Sequence, residues 1–209
     1  SAAATAEAEG LAQLYTTAAA LTMKGQTITS CYFDAVQAKV NFDTTGTVTT
    51  DLTAPVQTKN ELGENYGMVA WGGAIAEWDA QAAALASYAV GKTVEELKNG
   101  AVGEDGKAKD VDLASTATIY IGGYVNAIEA AAANAQQAHL QIMRTVLPDS
   151  ENFTLEPYSG EDANIVSVHK AENGFVIETV TRGYADEIRM LIGVNLDGKV
   201  TGLVVAEAH

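Results

Sequence analysis

Apolar and polar residues alternate most cleanly over 174–209, GFVIETVTRGYADEIRMLIGVNLDGKVTGLVVAEAH, where Ile188, Met190, Ile192, Val194 and Leu196 share one face and Val200 and Val204 resume the pattern. A period of two is the signature of a half-buried strand. Between the two runs stands Asp197-Gly198, a pair that supplies the positive φ angles of a type I′ hairpin turn. A second ribbon is predicted near the start, where residues 14–23 meet Lys24-Gly25 and 27–34 return. Residues 11–42 as a whole predict three strands, the third with Val36, Ala38, Val40 and Phe42 alternating against Gln37, Lys39 and Asn41. One strand module therefore occurs twice.

The period changes beyond a turn at 43–46. Residues 51–73 carry no sustained pattern and predict a long loop rich in Gly, Asn and aromatics, of the kind that is usually functional or disordered. Residues 75–90 predict a helix with Ile75, Trp78, Ala82, Leu85 and Ala89 on one face and Glu77, Gln81 and Tyr88 on another. Core packing is the plainest account of the apolar face. Thr93 with Glu96 forms a capping box opening a short helix that stops near Asn99-Gly100. A solvated turn, GEDGKAKD, leads to VDLASTATIY (111–120), whose last residues, 117–121, alternate as a short β segment before Gly122-Gly123. A long Ala-rich helix then runs to about Val146, with Val125, Ile128, Ala132, Ala135, His139, Ile142 and Val146 in one stripe. Leu147-Pro148-Asp149 ends it, because a proline ring disfavours helical geometry at the residue before it. Irregular chain at 153–158, a strand at 165–169 and a turn at 172–174 precede the closing meander.

These elements predict an α+β fold: an antiparallel sheet with packed helices, followed by a second, partial antiparallel meander of the same type. The organisation expected is a disordered tether at 1–10 (SAAATAEAEG), a first domain at 11–147 and a partial second domain at 148–209, covered only by the tail of the long helix.

Composition narrows the function. Of 209 residues 47% are hydrophobic, enough for a real core, while 27 acidic against 12 basic side chains leave a net charge of −15. That charge repels nucleic acid and anionic surfaces, so nucleic-acid binding is excluded as a reading. No apolar run approaches the roughly 20 residues of a membrane span, and no basic start with an apolar core is seen, so the sequence as given reads as a soluble piece. Its small-residue and glutamate opening suits a lipoprotein released from its anchor. Cys31 is the single cysteine, which leaves no disulfide, cysteine zinc site or redox pair within the chain. His139, His169 and His209 are widely spaced, so no metal site is predicted, and His139 reads as a packed core or rim residue. No nucleophile–base–acid arrangement and no P-loop emerges.

The order of these segments resembles the FMN-binding domain family, which includes the flavin subunits of the Rnf and sodium-pumping NADH:quinone reductase complexes and bacterial surface flavin lipoproteins. Two stretches carry the likeness. TKNELGENYGM, IAEWDAQAAALASYAVGKT and DLASTATI with its Ala-rich helix resemble the lipoprotein branch. LPDSENF followed by GFVIETVTRGYADEIRMLIGVNLDGKVTGLVV resembles the Rnf-type subunit, in which a Glu-Thr-Pro-Gly segment and a flavin-attachment motif come later; the sequence given stops at His209.

The resemblance implies FMN as cofactor, joined by its phosphate to the last hydroxyl residue of D-x-x-[ST]-G-A-[ST] by a flavin transferase. Asp112, Ser115, Ala117 and Thr118 match that motif, and Thr116 stands in the glycine position, where a β-branched residue resists positive φ and close backbone approach. Lys59, Glu61, Tyr66 and Met68 match a Lys-x-Glu, Tyr and Met run of the family, and Tyr66, Met68 and Trp71 are candidate ring contacts. Each has a plain structural reading beside this one: the aromatics plug the core, and Asp112 or Ser115 caps a turn through bonds to the backbone. The function implied is an extracytoplasmic electron carrier in a membrane-anchored bacterial surface lipoprotein, a redox carrier rather than an enzyme with its own substrate, exchanging electrons with membrane components. The alternative is a cell-surface interaction or structural module that keeps the fold without the cofactor. A further expectation is that the open edge at 203–206 pairs with another chain; the oligomeric state is left open.

Overall fold

The computed structural model describes residues 1–208, with side chains described through Val205; His209 lies outside the described residues. The expected α+β architecture is present: a two-stranded antiparallel ribbon with six helices, and a five-stranded antiparallel sheet. The chain divides into two compact units, Ser1–Ala133 and Asn134–His209. The division falls inside the long helix rather than between 147 and 148.

In the first unit β1 (Gly10–Lys24) pairs with β2 (Thr27–Phe42) along its whole length, from Gly10 opposite Phe42 to Lys24 opposite Thr27. The three strands expected in this region are thus two. Asp34 and Ala35, where the sequence suggested a break, keep their places opposite Ala18 and Thr17. Gly25, at φ +60° in the first position of a two-residue loop, makes the tight turn that this pairing needs. At the start of the chain, where a disordered tether was expected, Ala2 and Leu11 exchange two backbone hydrogen bonds of 2.7 and 2.8 Å.

One face of β2, through Phe33 and Ala35, is buried against the helices. The supposed loop at 51–73 contains α1 (Lys59–Leu62), a 3₁₀ turn (Gly63–Tyr66) and α2 (Met68–Gly72). They are too short for periodicity to reveal, and their ends are set by caps: Thr58 and Glu61 form a capping box on α1, and Gly67 and Gly73 adopt positive φ on either side of α2. Then come α3 (Trp78–Ala89) and α4 (Val94–Gly100), the latter opened by the predicted Thr93–Glu96 capping box. Trp78, Ala82, Leu85 and Ala89 are buried as the helical pattern requires, and Ile75 is not part of the helix. α5 (Val111–Thr116) is helical, and residues 117–121 form no strand; Asp110 accepts from the backbone N–H groups of Asp112 and Leu113 and so starts a helix there. α6 (Gly122–Val146) supplies Val125 and Ile128 to the same core.

In the second unit β3 (Thr154–Glu156), β4 (Ile165–Ala171), β5 (Gly174–Arg182), β6 (Glu187–Asn195) and β7 (Val200–Ala208) form a simple meander. β3 falls in chain expected to be irregular. Met143, Val146 and Leu147, from the end of α6, cover one face through Ala171, Val176 and Leu191. The β6–β7 turn is not of the predicted type. Gly198 has φ +77°, Asp197 has no positive φ, and Gly198 N donates to Asn195 O. That is a three-residue loop with glycine in the left-handed position. The Asn195 side chain decides it, accepting from Asp197 N and Lys199 N.

Where the helix end meets the sheet, side chains are absent by necessity. Gly193 and Gly202 face each other across β6 and β7. A Cβ on Gly193 would lie 2.0 Å from the carbonyl oxygen of Val146. Thr201 donates its hydroxyl to that same carbonyl, which has no partner within the helix.

Candidate functional site

Of the residues singled out in the first unit, Lys59, Met68 and Thr118 are joined to the start of α3 or to Glu77 just before it. Trp78 is buried, donates its indole N–H to Tyr124 Oη at 2.7 Å, and shares Tyr124 with Phe33, whose ring meets it edge-on at 5.4 Å. This fixes the start of α3 against the ribbon. Glu77 does not cap its own helix; its carboxylate accepts from Met68 N at 2.8 Å and Val69 N at 2.9 Å, holding the start of α2. Tyr66 and Met68 are thereby packed, half-buried, against the core. Trp71 is not: it is 90% exposed, so it joins none of these contacts.

Lys59 opens α1 and is only 9% exposed. Its Nζ lies over the Tyr66 ring at 4.6 Å and the Trp78 ring at 5.2 Å from the centroids. Cation–π contacts of this kind are worth roughly 0.5–2 kcal/mol each. Among the described residues no carboxylate lies within 4.0 Å of this ammonium. The nearby acids are committed elsewhere: Asp34 accepts from Ala35 N, Glu61 from Thr58 N, and Glu77 from α2.

One turn along α3 from Trp78, Gln81 is fully buried. Its Oε1 accepts from Thr118 N at 2.8 Å, Thr118 Oγ1 at 3.2 Å and Ile119 N at 3.2 Å, and its Nε2 donates to Ala76 O at 2.8 Å. A single amide thus holds the segment after α5 from beneath, while Thr118 stays exposed. Asp112 and Ser115 are exposed on α5, where the Ser115 hydroxyl donates to Asp112 O. Thr116 closes that helix and donates to Leu113 O. Its φ is negative, so this backbone makes no demand that only glycine meets. Sequence placed Gln81 on a polar face and so missed it; nothing but the structure shows that this position is the floor of the turn. Asp110 was missed as well, read only as the end of a solvated turn; the signal that could have found it is an acid immediately before the helix that starts at Val111.

In the second unit the structure brings together two histidines far apart in sequence. His139 on α6 and His169 on β4 meet edge-to-face, with centroids 5.8 Å apart. Burial first, then the His139 charge, pushes the His169 pKa below its ordinary value. Among the described residues no group of three or more His, Cys, Asp or Glu is placed to hold a metal ion. Close by, burial raises the Glu178 carboxyl, and the bonds from Arg189 and Ser167 more than reverse this, leaving its pKa low.

The elements around α3 thus hold an exposed hydroxyl at Thr118 on a braced turn, the half-buried Tyr66 ring and Met68 thioether against the core, and the Lys59 ammonium with no carboxylate within 4.0 Å among the described residues, groups whose chemistry suits a phosphate ester, a flat ring and an anion. No protein-family model matches this chain, and no curated protein matches it.

Proposed function

We propose that the first unit is an FMN-carrying electron-transfer domain working outside the cytoplasm, with the flavin esterified to Thr118. The observation that carries this is the bracing of Thr118 by Gln81. In the transfer, Thr118 Oγ1 loses its proton and bonds to the FMN phosphorus of a flavin dinucleotide, whose phosphoanhydride breaks to release a nucleoside monophosphate; one bond to Gln81 is lost with that proton, but the N–H groups of Thr118 and Ile119 still satisfy the buried Oε1. The modified turn therefore keeps its shape. Thr118 also projects from a surface that a flavin transferase can reach.

When bound, FMN supplies the one- and two-electron chemistry; the chain supplies position and electrostatics. A covalent tether keeps the group at an effective concentration of order millimolar, which suits a protein that has no flavin supply around it. Membrane-bound redox components are the electron partners of this reading, and a charge of −15 sets it apart from nucleic acid.

The test is intact mass and visible absorbance after co-expression with a flavin transferase. A yellow protein heavier by one FMN less water is expected, with Thr118→Ser still modified and Thr118→Ala not. A colourless wild-type chain of unchanged mass would sink the reading. That result would favour a surface interaction module, a reading supported by β1, which carries no charge between Gly10 and Met23 and exposes Leu14 and Tyr15.

A further inference from the structure

Resting on the reading above, we infer that Lys59 is the residue that sets the potential of the flavin, by holding the negative charge that reduction leaves on the ring. Lys59 as a residue is 9% exposed, its Nζ lies over the faces of Tyr66 and Trp78, and among the described residues no carboxylate lies within 4.0 Å of it, in a chain with an excess of 15 acids. An ammonium with no carboxylate partner is available to an anionic group brought beside it. Asp34, Glu61 and Glu77, on the elements around α1 and α3, accept from backbone N–H groups.

Position points to the ring rather than the phosphate. The phosphate is fixed at Thr118, which is held by Gln81, whereas Lys59 is held over Trp78, one helical turn earlier on α3. Residues three apart on a helix have Cβ atoms about 5–6 Å apart. Tyr66, the aromatic surface offered to the ring, is the residue whose face carries the ammonium. When the ring takes two electrons and one proton it gains one negative charge, and Lys59 stabilises that form relative to the neutral oxidised one.

The experiment uses the flavin-loaded chain, with loading read by mass before any titration. The two-electron midpoint is measured with dithionite as reductant against a reference dye. Lys59→Met keeps the aliphatic packing on Tyr66 and Trp78 but removes the charge; it should lower the reduced-to-oxidised ratio at fixed potential at least tenfold, a drop of about 30 mV or more for a two-electron couple. Lys59→Arg should stay near wild type. Without any variant, the wild-type midpoint should fall by about 30 mV per pH unit in mildly acid solution, the slope of one proton per two electrons. A loaded Lys59→Met with the wild-type midpoint, or a wild-type slope of twice that value, overturns this inference alone. A wild-type chain that takes up no flavin overturns the reading of the site and this inference with it.

Discussion

Replacing Gln81 with leucine tests whether one amide braces the turn that carries Thr118. The substitution keeps the volume but leaves two backbone N–H groups, of Thr118 and Ile119, and the carbonyl of Ala76 without their partner. Each unmet buried group costs about 1–3 kcal/mol. Thr118 is exposed, so water can reach part of this site, and the low end applies to all three groups, about 3 kcal/mol in total. Burying a leucine side chain in place of the amide returns roughly 1 kcal/mol. The net loss is about 2 kcal/mol, which with a urea slope of about 1–2 kcal/mol/M moves the midpoint down by about 1–2 M. Both tryptophans, Trp71 and Trp78, belong to the first unit, and Trp78 is buried, so tryptophan fluorescence follows that unit alone. Hydrogen exchange adds the local reading: amides 118 and 119 should exchange about 30-fold faster, the equivalent of 2 kcal/mol at 1.4 kcal/mol per decade. Gln81→Glu, which retains the acceptor, should leave those two amides protected. Wild-type stability with unchanged exchange at 118 and 119 in Gln81→Leu would refute the bracing role.

Two further outcomes concern the second unit. Gly193→Ala should cost about 2–3 kcal/mol, because its Cβ would collide with backbone at Val146 rather than with a side chain able to move; hydrogen exchange of β6 and β7 amides measures this, and a neutral effect would mean that the helix end is not seated there. Glu178 has a lowered folded pKa, so its contribution to stability is present above its unfolded value and is lost as pH falls through the folded one. His169, also lowered, adds loss in the same direction as pH falls below its unfolded value. Exchange in β4–β6 followed across acid pH should show this weakening, and Arg189→Met should flatten the Glu178 part by raising that carboxyl toward its ordinary range.

Much of the fold was legible because its signals are local. The alternation in β6, the Thr93–Glu96 box and the stripe on α6 each need only a few neighbouring residues to be read. What escaped depends on contacts across the chain. Ala117 to Ile121 alternate like a strand, yet Asp110 starts a helix before them and Gln81, 37 positions from Thr118, takes the N–H groups that a sheet would have used. Asp197-Gly198 is a strong I′ signal, and the Asn195 side chain, accepting two N–H groups, selects the other loop. Thr118 and Lys59 were both visible as residues to watch. Their relation through α3 was not, since it exists only once Trp78 and Gln81 are folded into successive turns.

The paired glycines beneath Val146 bear on how freely this part of the chain can change. Because the end of α6 is located by backbone meeting backbone, and anchored by a hydroxyl from Thr201, its position depends little on the exposed side chains of its last turn. Arg144 and Thr145 are therefore free to vary in size so long as the two glycines stay, whereas Met143 and Val146 are held by the core they fill. A notch made of missing atoms works as a ruler for the helix, and substitutions should accumulate on its exposed positions long before either glycine tolerates one.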